Sequence, residues 1–295
     1  MNAGILGLLA AFGWGVADFA ARFSGRSLGA HNALLGMLCA GSLVLTLGIL
    51  LDADPLVYGQ AGMPLVVASG VAAMFGTLFV YQAVAMGPIV VAAPIISSYP
   101  ALVVVAAVFA GEIPNPLEWL AILGVMGGVL VISLFHVAEA QGAADKIPST
   151  PFPGGTVTIA LLAAVCLAVS IITGQQVAST FGHLQTTWMA RLISLAALIV
   201  LILASPRSKF SLPRKWWPLV AAQGVLDSGA FLATLAGGLT ANPEITAVVG
   251  SCFGGVTVVL GRVFLKERMN WQQWSGVVLI IACVAFLAAP PGAWI

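Results

Sequence analysis

The chain has 295 residues, of which 60% are hydrophobic and 7% charged, and its formal net charge is +1. Soluble domains carry roughly 25% charged residues, so a water-facing surface cannot be assembled from this composition. No basic run beyond short loop clusters offers a footprint for nucleic acid, and the ~10-residue alternating segments of a transmembrane barrel are absent.

Long uncharged apolar stretches recur along the chain, each near the ~20 residues that carry a helix across ~30 Å of hydrocarbon. They predict an all-α integral membrane protein with ten spans, at 3–21, 32–51, 63–85, 88–110, 117–136, 156–179, 184–204, 216–238, 243–264 and 271–289. The first stretch has no basic region before it and is expected to be a retained span, not a cleaved signal.

A charge near the bilayer centre costs at least ~2.5 kcal/mol on insertion scales, so buried ionisable residues are functional candidates. Span 1 contains Trp14 and, one turn later on the same face, Asp18. Arg22 follows Asp18 by another turn, and pairing between the two is the favoured role for Asp18. Span 3 ends in Tyr81 and Gln82, and span 4 carries Ser97-Ser98-Tyr99-Pro100 at its centre with Pro94 one turn earlier. Prolines there free backbone carbonyls and permit a bend.

Span 6 contributes Gln175 and Gln176, for which a lumen lining and an interhelical hydrogen bond are both open. Span 7 contains Trp188 and Arg191, and span 8 places Asp227 near its middle. Asp227 is either a contact for a substrate amine or proton, or half of an ion pair with Arg191. Trp119, Trp216, Trp217, Trp271 and Trp274 fit the interfacial belt.

Cys39, Cys166, Cys252 and Cys283 all lie inside apolar stretches and read as small core residues, not as disulfides or metal ligands. His31, His136 and His183 fall at span ends, and neither a metal nor a cofactor is expected. No HExxH, GxSxG or phosphate loop is present, so an enzyme is not expected. Gly124-xxx-Gly128 and Gly250-xxx-Gly254 would let helices approach closely.

The polar, proline-bearing segment from Val137 to Gly155 divides the chain into a first repeat at 1–137, a linker at 138–155 and a second repeat at 156–295. Setting the stretch from Pro88 over that from Pro243 needs no gap. Pro88/Pro243, Ala92/Ala247, Phe109/Phe264, Glu112/Glu267, Asn115/Asn270 and Trp119/Trp274 then coincide. One residue of slippage earlier pairs Gly70 with Gly224, and a further one pairs Leu8-Leu9-Ala10-Ala11 with Leu161-Leu162-Ala163-Ala164. Five spans per half is an odd number, so the second half enters from the opposite side and the repeats are inverted. Nine loop Lys/Arg residues, from Arg22 to Arg268, lie on the side opposite the termini. By the positive-inside rule both termini are expected outside the cytoplasm.

The segments GEIPNPLEWLAILGVMGGVLVI and KERMNWQQWSGVVLIIACVAFL, with Trp14-Gly15 in span 1, resemble the drug/metabolite transporter superfamily, specifically its ten-helix EamA-type members. Glu112 with Trp119 and Glu267 with Trp274 match the family's repeat-closing pattern in both halves. The resemblance implies export of small metabolites across the inner (plasma) membrane, with YddG-like exporters of aromatic amino acids the first branch to name.

The expected function is therefore secondary transport by alternating access of small organic metabolites, most of all amino acids. A polytopic membrane enzyme and a passive channel are the rivals. The repeat alignment sets Tyr99 opposite Gly254 and Ser98 opposite Phe253, an asymmetry that would shape a slot for a flat substrate. Trp14, Tyr81, Gln82, Ser98, Tyr99, Gln175, Asp227 and Phe253 form the expected substrate-binding set. The expected partners are the small-molecule substrate and the lipid bilayer, with a monomer the simplest assembly.

Overall fold

The computed structural model describes residues 2–52, 55–57, 61–86, 95–96, 98–111, 115–117, 119–128, 131, 153–204, 211–265 and 271–288, apart from a few side chains within them. The expected linker at 138–155 lies almost wholly outside the described residues, as do Pro94, Ser97, Glu112 and Glu267.

Helix α1 (Ala3–Leu28) starts at Asn2, whose side chain accepts the amide of Ile5 at 2.9 Å. One otherwise orphaned donor of the first turn is thereby satisfied. The helix outruns its expected end at 21 and stops at Gly29, where φ is 79°. Polar residues such as Ser24 end an apolar stretch without ending a helix, because the backbone hydrogen bonds persist past the hydrocarbon. Gly29 has no Cβ to clash in that left-handed conformation, so the chain reverses at once into α2 (Ala30–Leu51).

Helix α3 (Met63–Met86) follows, then α4 (Tyr99–Phe109) and α5 (Trp119–Gly128). The second half comprises α6 (Pro153–Phe181), α7 (His183–Ala204), a 3-10 turn at Arg214–Trp216, α8 (Trp217–Gly237), α9 (Pro243–Gly250), α10 (Phe253–Leu265) and α11 (Trp271–Ala288). Six of these, α1, α2, α3, α6, α7 and α8, are long and apolar enough to cross a membrane. Their outward faces carry large apolar side chains such as Leu9, Phe12, Leu43 and Leu203, as lipid contact requires.

The expected ninth span, 243–264, is not one helix. It breaks at Ser251-Cys252, where the Ser251 hydroxyl donates to the Val248 carbonyl at 2.6 Å and the Cys252 amide to that of Val249 at 3.1 Å. The first half is interrupted near the matching place: Ser98 sits in a turn just before α4, its hydroxyl donating to the Ile95 carbonyl at 2.6 Å. A short hydroxyl side chain competes for a carbonyl that would otherwise continue the helix.

Helix pairing follows a reciprocal scheme. α3 packs along α6 and α1 along α8; α2 lies on α8 and α3 on α7; α1 lies on α9 and α10, and α4 on α6. Each such pair becomes the other when the halves are exchanged. Small residues set the spacing: a Cβ on Gly224 of α8 would fall 2.7 Å from the amide nitrogen of Gly41 on α2, so only glycine permits that approach. Cys252 is buried and Cys166 and Cys283 partly so, but Cys39 is exposed on α2, which corrects its expected place in the core. The outer faces of these helices meet lipid, where a small apolar thiol is as acceptable as in a core.

Candidate functional site

Four helices, α1, α3, α7 and α8, enclose a charged cluster in an interior whose other buried polar groups are uncharged serines, threonines and glutamines among the described residues. Asp227 occurs midway along α8, and Arg191 reaches it from α7, with Nη2 2.6 Å from Oδ2. Both are buried. The guanidinium also lies 4.7 Å from the centroid of the Phe231 ring, one turn further along α8, and 3.4 Å from the Asp227 carbonyl oxygen. A planar, weakly hydrated cation suits such a stacked and paired position better than an ammonium would. Arg191 Nε has no hydrogen-bond partner.

From α1, the Trp14 side chain hydrogen-bonds the Asp227 carboxylate, the indole N–H being its donor. Its ring meets Phe253 edge-on, centroids 6.3 Å apart and planes at 79°. Asp18 is one helical turn beyond Trp14 and partly buried. The side chain of Arg22, its expected partner, lies outside the described residues.

Gln223, one turn before Asp227, is fully buried. Its amide nitrogen donates to the Ala17 carbonyl at 3.2 Å and to the Tyr81 hydroxyl at 3.3 Å. Ser24 also hydrogen-bonds Tyr81, tying α1, α3 and α8 together. Gln223 Oε1, by contrast, has no partner.

Tyr99 belongs to an adjoining, drier group. It is 1% exposed, packed with Ile171, Phe231 and Leu235, and its hydroxyl donates to the Ala247 carbonyl at 3.4 Å. Gly250 lies beside it: a Cβ there would be 3.9 Å from the Tyr99 hydroxyl and 3.7 Å from the Trp14 ring. Trp14 therefore touches both the charged cluster and the aromatic one.

Of the residues expected at the site, the fold brings Trp14, Tyr81, Tyr99, Asp227 and Phe253 into these two adjoining groups. Gln175 instead straps helices together, donating to the carbonyls of Thr234 at 3.0 Å and Pro243 at 3.3 Å. Ser98 spends its hydroxyl on the turn before α4. Gln82 follows Tyr81 on α3 and is partly buried. Sequence reasoning missed Gln223, although its spacing of four from Asp227 puts both on one face of α8 and would have revealed it.

The profile of the EamA-like transporter family matches residues 1–134 and again residues 155–289. A solved structure, titled only as the crystal structure of a protein, superposes with a TM-score of 0.77 over 97% of this chain and 99% of its own. At 19% identity that likeness speaks for the fold alone. No curated protein sequence matches the chain. The two family matches together span nearly the whole sequence, so the chain belongs to the EamA-like transporter family and is a multi-pass membrane transporter of small solutes.

Proposed function

We propose that this transporter exports small amino acid-like metabolites, aromatic ones preferred, by alternating access between two inverted five-helix repeats. The observation that carries the proposal is the buried Asp227–Arg191 pair capped by Trp14, because it offers a zwitterion both charges and an aromatic surface at one interhelical site. Reciprocal helix pairing supports the repeat: two similar bundles meeting along α1–α8 and α3–α6 are suited to rocking about a site between them. Trp14, with Phe253 edge-on to it and Tyr99 beside the same glycine, would supply the aromatic surface for a flat side chain. Tyr81 and Gln82 complete the proposed lining, while Ser98 and Gln175, committed to the turn before α4 and to helix carbonyls, drop out of it. The loops on the side away from the termini carry the basic residues, which supports an inner-membrane protein with both ends outside the cytoplasm.

The test is flux into proteoliposomes from a panel of aromatic, aliphatic and cationic amino acids. Saturable counterflow, fastest for aromatic members, is expected. Linear flux without trans-stimulation would replace the carrier with a channel.

A further inference from the structure

We propose that the start of α8 is a docking site for an anionic glycerophospholipid, with the phosphate held by Arg214 and Lys215 and an acyl chain lying along the exposed stripe of the helix. The site is independent of which solute is carried.

The sequence sets the charge. Residues 205–217 contain Arg207, Lys209, Arg214 and Lys215 and no acid, and the next carboxylate along the chain is Asp227. The corresponding connection in the first repeat has the opposite sign, with Asp52 and Asp54 and no Lys or Arg between α2 and α3. In the register that pairs Gly70 with Gly224, Arg214, Lys215, Trp216 and Trp217 fall on Gln60, Ala61, Gly62 and Met63. The first repeat makes the same connection without cations or indoles, so the turn alone does not account for them.

Packing gives these residues a fixed arrangement. Leu212 seats on α2, where a Cβ on Gly36 would lie 3.2 Å from its Cδ2 and 3.1 Å from Val220 Cγ2. Pro213, at φ −57°, leads into the 3-10 turn, and the Trp217 indole N–H closes the turn by donating to the Leu212 carbonyl at 3.2 Å. The Arg214 guanidinium carbon lies 6.0 Å from the Trp217 ring centroid, and Lys215 Nζ lies 5.8 Å from that of Trp216. Each cation thus rests against an indole. Both are exposed, and among the described residues neither is paired with a carboxylate. Of the helices packed on α8, α2 and α7 contain no acid, nor does α1 beyond Asp18. Two adjacent cations without a counterion in the chain suit an anion from outside it, and a phosphate can take the Arg214 fork and the Lys215 point charge together.

The position selects a lipid as the source of that phosphate. The membrane-length stretch runs from Arg214 to Gly237, which puts the cations and indoles at its end, the level of the headgroups. Further along α8, Trp217, Ala221, Val225 and Gly229 recur every fourth residue and are all exposed, so they form one stripe on the outer face. Nothing comes within 4 Å of a Cβ placed on Gly229. An acyl chain descending from a headgroup at Arg214 has this open apolar path to follow, whereas a soluble phosphate would leave it unused. A zwitterionic headgroup would bring its own ammonium toward two cations, so the headgroup that fits is one without a cation.

Native mass spectrometry of the full chain in detergent, titrated with phosphatidylglycerol or phosphatidylcholine, tests the site. Phosphatidylglycerol should bind at least ~tenfold more tightly than phosphatidylcholine, and Arg214→Gln/Lys215→Gln should bring it down to the phosphatidylcholine level. Because both side chains are exposed, thermal unfolding of that variant in lipid-free detergent should match the wild type. Ala221→Trp keeps both cations but obstructs the stripe, and should also weaken phosphatidylglycerol. Glycerol 3-phosphate, which has the phosphate without the chains, should not displace the lipid. Equal binding of phosphatidylglycerol to wild type and the double variant, or of the two lipids to wild type, would overturn the site. Displacement by glycerol 3-phosphate, or undiminished binding in Ala221→Trp, would overturn the lipid as its occupant. All of these readouts stand whether or not any solute is carried.

Discussion

Two helix crossings, α3 on α6 and α1 on α8, occupy corresponding places in the two halves and are held together differently. At the first, Ser69 donates to the Ser170 carbonyl at 2.8 Å and Ser170 returns a bond to the Ser69 carbonyl at 3.0 Å. The slipped alignment that pairs Gly70 with Gly224 sets Ser69 against Gln223, and that pairing Leu8 with Leu161 sets Ala17 against Ser170. The Gln223 bond to Ala17 is thus the counterpart of the Ser69 bond to Ser170. The same two registers match Asp18 with Ile171 and Asp227 with Ala73, both apolar and buried. One crossing is closed with neutral, fully used hydroxyls; the other adds charges and an orphaned acceptor that its counterpart does without. Charges are costly in hydrocarbon, which makes this crossing, and not its neutral counterpart, the candidate for contact with the solute.

If the charges are additions to a sound crossing, removing them together should be far milder than removing one. Arg191→Leu leaves Asp227 buried and unpaired, which is expected to cost about 3–5 kcal/mol. The double variant Arg191→Leu/Asp227→Leu should regain most of that loss. Thermal unfolding in detergent checks the pattern, and transport should be absent from both. A double variant as unstable as the single would make the pair a structural necessity and break the comparison.

At the neutral crossing the effect is smaller. Ser69→Ala and Ser170→Ala should each lower stability by about 1 kcal/mol, in line with interhelical hydrogen bonds in membranes. Each hydroxyl bonds to the other residue's carbonyl, not to its hydroxyl, so the double change should be close to additive. Solute specificity should not move. A change in the preference among amino acids would show that this crossing, too, faces the substrate.

The amino-acid order made the helical class, the positions of six membrane-length helices and the candidate charges legible, because apolar length and rare intramembrane charges are strong local signals. It was less informative about where helices stop. α1 continues to Leu28 because backbone hydrogen bonding, not hydropathy, ends a helix, and the 243–264 stretch conceals the Ser251-Cys252 break because no charge or proline falls near it. Side-chain direction was also hidden. Gln175 is polar, deep and intramembrane like Gln223, yet one straps carbonyls of α8 and α9 while the other meets Tyr81. Only the azimuth of each helix, set by its neighbours, separates the two roles.

The smallest effect is expected at Tyr99, where aromatic surface and hydroxyl can be separated. The Tyr99 hydroxyl bond to Ala247 is long, at 3.4 Å, so Tyr99→Phe should cost no more than about 1 kcal/mol. Trp14, Gly250 and the packed ring remain in place. If the ring supports an aromatic substrate, Tyr99→Phe should keep apparent affinity within about threefold, a shift of no more than ~0.7 kcal/mol. Affinity for an aliphatic substrate should be equally insensitive. Being 1% exposed, Tyr99 offers no reagent path in this conformation, so a Tyr99→Cys variant in a cysteine-free background should resist small polar thiol reagents here. Added substrate, by shifting the population toward other transport states, should open it to labelling. Resistance under every condition, at flux matched for protein level, would move Tyr99 from the solute path to the packing between α4 and α6, leaving Trp14 and Phe253 as the aromatic surface.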